Sequence, residues 1–478
     1  MIWNLEKYRG NTAFVDEVGI AVTYEELIRE SRKISDAIQD RCLVFSLCKN
    51  SLGSMIGYVS FINANIVPVL LNANLEKELL NNLLKTYMPA YLWVPEEQRK
   101  EFPDLEVVCR TYQYCLLKTN YSMAYPLYPE LGLLLTTSGS TGSPKFVRQS
   151  YANIMSNAES ICQYLELDET ERPITTLPMN YTYGLSIINS HLFVGSTILV
   201  TDKSLMQKEF WQFFRENGAT SFGGVPYTYE MLDRMRFWRM QLPSLRTMTQ
   251  AGGKLLPELH QKFAEYAVEN NKKFIVMYGQ CEATARMGYL PANKAIERCG
   301  SMGIAIPGGT FRLVDGKGQV ISQPHVTGEL VYEGPNVTLG YAECIEDLAK
   351  GDERHGVLET GDMAQFDEDG YYYIVGRKKR FLKIYGNRVN LDEIDRMVKG
   401  KFPNADFASA GMDDHMYLFV TDNAISGDVK GFVVSKTGLN PAAFQVIVMD
   451  EIPKNDSGKP YIRSWKNTIK ESILSHEL

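Results

Sequence analysis

No C-x-x-C pair occurs in this 478-residue chain; its eight cysteines (42, 48, 109, 115, 162, 281, 299 and 344) are scattered, and its six histidines are far apart. That pattern excludes a zinc-binding or disulfide framework and implies reduced thiols in a cytosolic protein. Positive charge is not in excess either: the formal net charge is -7, which argues against a general nucleic-acid binder. No apolar run reaches the roughly 18 residues of a transmembrane helix. The opening "MIWNLEKYRGNTAF" carries acidic and basic residues within its first nine positions and no long apolar core, so a secretory signal is not expected. The expectation is a cytoplasmic protein with no membrane span and no nucleic-acid partner. Internal repeats and low-complexity segments are absent as well.

What is present is a globular composition, 45% hydrophobic and 22% charged, in a chain too long for one ordinary core. Short apolar strands such as "IVPVLLN", "STILVTD" and "KKFIVMYG" alternate with amphipathic helical stretches. This predicts an α/β fold of mixed layers, packed sheets flanked by helices. Ile154, Ala158, Ile161 and Leu165 share one helical face, with Ser150 placed as an N-cap and "KFVRQ" before it reading as a strand. Near residue 376 the texture changes. The alternating "GYYYIVG" runs into "RKKRFLKIYGNR", with six basic residues between Arg377 and Arg388 and no acid. The expected organisation is a large N-terminal domain over 1–376, a hinge at 377–380 and a small α+β domain over 381–478.

Several stretches have the chemistry of a nucleotide site. "TTSGSTGSPK", from Thr136 to Lys145, lacks the G-x-x-x-x-G-K-[ST] spacing of a Walker loop. Its hydroxyls still suit phosphate, as do Gly139, Gly142 and Lys145, although a polar turn fits equally well. "VMYGQCEATARM" puts Glu282 just past a strand, where a carboxylate either binds Mg²⁺ beside phosphates or is simply solvated; Tyr278 is placed to stack on a base. In "VLETGDMAQ", Asp362 sits in a Thr-Gly-Asp turn, either holding ribose hydroxyls or stabilising the turn. Asp367 and Asp369 read as ordinary turn residues of "FDEDGYY". The basic run "GRKKR" continues into apolar "FLKIYG", which weakens a nucleic-acid reading. Lys459, in the loop "IPKNDSGKPYIR", is unremarkable alone.

Taken in order, these stretches resemble the adenylate-forming superfamily of acyl-CoA synthetases, peptide-synthetase adenylation domains and luciferases. "TSGSTGSPK" is similar to its phosphate loop, "YGQCE" to its Tyr-Gly-x-Thr-Glu element, "TGD" to its ribose turn, "GRKKRFLKIYGNRVNLDEID" to its hinge region and "PKNDSGK" to its catalytic-lysine loop. "FVDEVGIAVTYEEL", "AGGKLLPEL" and "GELVYEGPNVTLGY" extend the resemblance over nearly the whole chain.

The resemblance implies ATP-dependent activation of a carboxylic acid to an acyl-adenylate, with release of pyrophosphate, then transfer to a thiol. By position, Lys459 bridges the α-phosphate and the substrate carboxylate, and Glu282, with Thr141, holds Mg²⁺. Thr137, Ser138, Gly139, Ser140, Thr141, Gly142 and Lys145 cradle the outer phosphates. Gly252, Gly253, Tyr278, Gly279, Gln280 and Cys281 border the nucleotide, and Asp362 and Arg377 complete its site. Lys379 occupies the hinge position, and Lys383 and Gly386 line the thiol's approach. The acyl pocket draws on Tyr181, Gly184, Gly223 and Val225.

Two departures from the family pattern are Cys281, where Thr is usual, and Tyr181, where a histidine or another aromatic is usual. Amino-acid-activating members have an Asp for the substrate ammonium where this chain has Thr182, so a plain carboxylic acid is favoured. With no fused carrier domain, the expected acceptor is free CoA or, as the alternative, a phosphopantetheine on a separate acyl carrier protein. A nucleotide sensor without catalysis is a remote third reading.

Overall fold

The apolar runs "LVFSLC" and "VPVLLN" form neighbouring parallel strands, Leu43–Cys48 and Val67–Asn72, in register from Leu43 with Val67 to Cys48 with Asn72. Almost every residue in them is buried, as expected for a parallel sheet covered on both faces. The computed structural model describes residues 2–38, 40–121, 125–136, 145–384, 387–403, 405–412 and 414–453. The chain is a mixed α/β protein that divides into two compact units.

Among the described residues, the first unit takes in 2–136, 145–311 and 332–358. Its largest sheet has eight strands in the order Gly340–Ala342, Phe146–Ser150, Leu131–Thr136, Val67–Asn72, Leu43–Cys48, Tyr91–Pro95, Tyr114–Lys118, Glu106–Thr111. The strands Leu131–Thr136 and Phe146–Ser150 pair antiparallel, so the Ser/Gly-rich segment joins two neighbouring strands. A five-stranded sheet runs Ser221–Gly224, Thr247–Gln250, Lys273–Tyr278, Gly288–Tyr289, Ile304–Ala305, its first three strands parallel. The helix Tyr151–Leu165 starts at a reciprocal cap in which the Ser150 hydroxyl accepts from the Asn153 amide and the Asn153 side chain accepts from the Ser150 amide. Its Ile161 and Leu165 pack with Tyr183, Ile275 and Met277, so this helix and the helix Thr182–Phe193 cover the inner face of the five-stranded sheet.

The second unit takes in 312–331 and 359–453 among the described residues. It contains all but the first two residues of the strand Val357–Phe366, its antiparallel partner Tyr372–Arg377, then a hairpin of Phe381–Ile384 with Asn387–Asn390. A three-stranded sheet follows, Phe407–Met412, His415–Val420 and Phe444–Val448, with helices Leu391–Lys401 and Ser426–Thr437. Its core gathers Ile384, Leu391, Ile394, Leu418, Val420, Val429 and Val433. Arg380 pairs with both Asp392 and Asp395, and the Ser409 amide donates to Asp395 at 2.7 Å.

The "TGD" segment departs from the expected turn. Thr360, Gly361 and Asp362 lie inside the ten-residue strand Val357–Phe366, and Gly361 takes φ +70° within it. A left-handed residue in mid-strand bends the chain without ending it, and the pairing with Tyr372–Arg377 shifts register just beyond, between Met363 and Ala364. Asp367 and Asp369 do lie in a turn, where the Asp367 carboxylate accepts from the amides of Asp369 and Tyr371.

Candidate active site

The strand Lys273–Tyr278 ends at Tyr278, and the chain then passes through Gly279 and Gln280 into the single turn Cys281–Ala283. Gly279 is required by close approach: a Cβ there would lie 1.6 Å from the Ala285 carbonyl oxygen. The next constraint is Thr284, a β-branched residue held at φ +63°. Its hydroxyl donates to the Asn336 carbonyl at 2.7 Å, and its own carbonyl accepts from the Thr182 hydroxyl at 2.9 Å. The segment between the crowded Gly279 and the left-handed Thr284 is thus pinned from outside, and it carries Glu282.

Glu282 is half-buried and its surroundings come from distant sequence. The Tyr341 hydroxyl donates to Glu282 Oε1 at 2.7 Å. The Glu282 carbonyl accepts from the Thr338 amide at 3.0 Å and from Arg354 Nη1 at 2.9 Å. Burial and the neighbouring carboxylate push the Tyr341 phenol well above its ordinary range, so it remains a donor at neutral pH. The Lys145 ammonium lies 3.5 Å from the Tyr341 ring centroid and the Arg354 guanidinium 4.6 Å from it. Antiparallel pairing explains how Lys145 gets there: Phe146 opposes Ala342 and Val147 opposes Tyr341, which sets Lys145 beside Glu343 at 3.7 Å. Fully buried Arg148 locks the register, donating to the Tyr341 carbonyl at 2.9 Å and pairing with Glu353. Lys145, Arg354 and the Glu282 carboxylate therefore converge on Tyr341, next to the strand that follows the Ser/Gly-rich segment.

A magnesium–nucleotide complex fits this donor set. Glu282 Oε2 has no protein partner among the described residues, and no group of three metal-ligating side chains is found among them. The protein would supply a single carboxylate, leaving the rest of an octahedral shell to phosphate and water, as is usual for Mg²⁺. Gly252 takes φ +85°, and a Cβ there would stand 2.7 Å from the Tyr181 hydroxyl, so bare backbone faces that ring. Gly253 beside it is exposed. Tyr278 is half-buried, with its hydroxyl 3.3 Å from Gln280 Nε2 and its ring edge-on to Phe311. The buried Cys281 sulfur lies 4.0 Å from the Thr136 carbonyl, beside the strand that leads into the Ser/Gly-rich segment.

The residues proposed for the acyl pocket are also near one another. Tyr181 and Tyr183 meet edge-on at 6.4 Å, and a Cβ at Gly223 would stand 2.9 Å from the Tyr183 hydroxyl. Gly184 is buried against the Pro178 carbonyl, and Val225 packs in the same cluster as Tyr181. In the second unit, Asp362 opposes Arg377 across the strand pair, with Nε 3.3 Å from Oδ1, and the Arg377 amide donates to Asp392. Lys379 lies in the turn Lys378–Arg380, and Lys383 opposes Arg388 in the following hairpin. Thr137, Ser138, Gly139, Ser140, Thr141, Gly142, Gly386 and Lys459 lie outside the described residues.

Sequence reasoning does not single out Tyr341, Arg354, Thr338 or Arg286. Tyr341 ends the quoted stretch "GELVYEGPNVTLGY", but nothing in its spacing announces a contact with a residue 59 positions away.

Comparison with known proteins agrees with this reading. The family model for AMP-binding enzymes matches residues 2–342. The chain is 27% identical over 347 residues to the oxalate–CoA ligase of Arabidopsis thaliana, covering 70% of this chain and 66% of that protein. It thus spans just under two thirds of that relative's length. It is 25% identical over 441 residues to a 2-succinylbenzoate–CoA ligase of Bacillus cereus, covering 89% of this chain and 88% of that one. The fold is shared with the o-succinylbenzoate CoA synthetase of Bacillus subtilis, solved with its acyl-adenylate intermediate: TM-score 0.79, 20% identity, and 97% of each chain covered. The chain belongs to the AMP-binding enzyme family.

Proposed function

We propose that this protein is an AMP-forming acid–thiol ligase that activates a carboxylic acid with ATP and Mg²⁺ and transfers the acyl group to CoA. The observation that carries the reading is the convergence of Lys145, Arg354 and Glu282 on Tyr341, beside the strand that follows the Ser/Gly-rich segment. The CoA ligases among its relatives support it, as does a solved neighbour that binds ATP with magnesium.

In the first step a carboxylate oxygen attacks the α-phosphorus, the bond to the β-phosphate oxygen breaks, and pyrophosphate leaves. Two anions meet there, so the site must supply positive charge to the transferring group. Lys459 does so at the α-phosphate, Glu282 fixes the metal, and Lys145 with residues 137–142 holds the leaving pyrophosphate. Asp362 and Arg377 serve the ribose, and Gly252, Gly253 and Tyr278 the adenine. In the second step the thiolate attacks the acyl carbon and AMP departs, with Lys383 and Gly386 lining the approach. The hinge is at 377–380, around Lys379, between a domain of 1–376 and one of 381–478.

Acid-dependent exchange of labelled pyrophosphate into ATP, measured across a panel of carboxylic acids, tests the first step. Thioester formation with CoA against a phosphopantetheinylated carrier tests the second. If no acid supports exchange, the ligase reading fails and a nucleotide sensor takes its place.

A further inference from the structure

Two arginines are buried among the described residues, and they are treated differently. Arg148 is paired with Glu353. Arg286 is 3% exposed and has no carboxylate partner among the described residues. Its Nε donates to Ser186 Oγ at 3.0 Å, and its Nη1 donates to the Tyr164 hydroxyl at 3.0 Å and reaches Met277 Sδ at 3.2 Å. The guanidinium also lies 5.2 Å from the Tyr183 ring centroid. All of these partners are neutral. Nη2, with two N–H groups, has no partner among the described residues, although the side chain as a whole is buried.

A buried guanidinium without a counter-charge costs several kcal/mol, and chains tolerate one where something offsets it. This one is also held firmly: the Arg286 carbonyl accepts from Asn157 Nδ2 at 2.9 Å and from Asn336 Nδ2 at 3.0 Å. It lines a cavity with Glu171, His191, Ile187, Phe222, Gly223 and Thr249; the Glu171 carboxylate is already engaged by Arg246 and the Thr220 hydroxyl. A second unpartnered polar atom belongs to the same lining. His191 is buried, its Nδ1 is 2.8 Å from the Ile187 carbonyl, and its Nε2 has no partner among the described residues. Two polar groups in one cavity without protein partners among the described residues call for a polar occupant.

The cavity adjoins the acyl pocket. Gly223 pairs with Thr249 across the parallel strands Ser221–Gly224 and Thr247–Gln250, and three residues after Thr249 comes Gly252, which faces Tyr181. The strand ends at Gln250, so the three residues from Thr249 to Gly252 span at most about 10 Å.

We propose that the acid this protein activates carries a second carboxylate, which enters this cavity and pairs with Arg286. The inference rests on the ligase reading and adds a substrate class to it. A fork of two N–H groups suits a carboxylate, and the upper bound on the span from Gly252 admits a diacid whose ends are separated by a ring or a short chain.

The test is a matched series: 3-phenylpropanoate, 3-(4-hydroxyphenyl)propanoate and 3-(4-carboxyphenyl)propanoate, assayed by pyrophosphate exchange with the unmodified protein, Arg286→Met and Arg286→Lys. The diacid is expected to exceed the unsubstituted acid by about 100-fold in kcat/KM. Arg286→Met should invert that preference, and Arg286→Lys should keep its direction at reduced size. Equal use of all three acids, preference for the hydroxy acid, or an equal loss on all three in Arg286→Met would overturn the proposal. Calorimetric binding of the diacid, compared between the unmodified protein and Arg286→Met, decides the same point independently. If no acid supports exchange, the ligase reading falls, while Arg286-dependent diacid binding would still uphold the anion site and its absence would reject it.

Discussion

Tyr341 donates its phenolic hydrogen to the Glu282 carboxylate across 2.7 Å, joining a turn after one strand to the edge strand of another sheet. The contact fixes the direction of the one carboxylate proposed to hold the metal. Tyr341→Phe removes that donor, while the main-chain bond from Arg148 to residue 341 is untouched. A hydrogen bond to a charged group contributes about 1.5–3 kcal/mol, so adenylation kcat/KM should fall roughly 10- to 100-fold. The Mg²⁺ concentration for half-maximal exchange should rise while the melting temperature stays within a few degrees. An unchanged Mg²⁺ requirement would separate Tyr341 from the metal.

Gly279 has no room for a side chain, because a Cβ would sit 1.6 Å from the Ala285 oxygen. Gly279→Ala must push apart the two ends of the segment that carries Glu282. Overpacking of this kind costs about 1–3 kcal/mol or more, so both the melting temperature and pyrophosphate exchange should drop. Retention of exchange at the unmodified level would show that the turn is not the support described.

Much of this architecture was legible in local sequence, because its signals act over a few residues. Ser150 as a cap and Ile154, Ala158, Ile161 and Leu165 on one face depend on the helical period alone, and the structure has both. The strand after the Ser/Gly-rich loop follows equally from "KFVRQ". The Thr-Gly-Asp segment misleads because Gly361 is a turn signal in sequence, yet its left-handed backbone is accommodated inside a paired strand. Tyr341 and Arg354 are invisible for a different reason: they meet Glu282 only through sheet order, across 59 and 72 residues. Arg286 is a lone basic residue in "ATARM", and only burial without a carboxylate distinguishes it.

His191 and His260 predict how stability varies with pH. Burial pushes each imidazole down to about 4 from an ordinary value of 6.5. At His191 the Ile187 carbonyl partly opposes this shift and Arg286 adds to it. Both rings are neutral in the folded chain, whereas the unfolded chain takes up protons below pH 6.5. Their contribution is therefore complete above pH 6.5 and is lost as pH falls toward 4. By pH 5 the loss should be about 2 kcal/mol for each group. Urea midpoints should fall between pH 7 and pH 5, and His260→Gln should reduce the slope. A flat profile in the unmodified protein would contradict neutral burial of both rings.

Lys459 and Glu282 are proposed to serve the same half-reaction from different parts of the chain, and separating the two half-reactions distinguishes their work. In the proposed role, Lys459 supplies positive charge at the atoms forming the new bond, so Lys459→Ala should lower pyrophosphate exchange by about 100- to 1,000-fold, the scale of losing a principal electrostatic contact at the reacting group. Thiol transfer from supplied acyl-adenylate has no phosphoryl group in flight and should be retained within a few-fold. Glu282→Gln should also lose exchange, but its defect should lessen as Mg²⁺ is raised, because a weakened metal site fills at higher concentration. The lysine variant has no such remedy. Equal loss of both half-reactions in Lys459→Ala, or insensitivity of Glu282→Gln to Mg²⁺, would reassign the residue concerned.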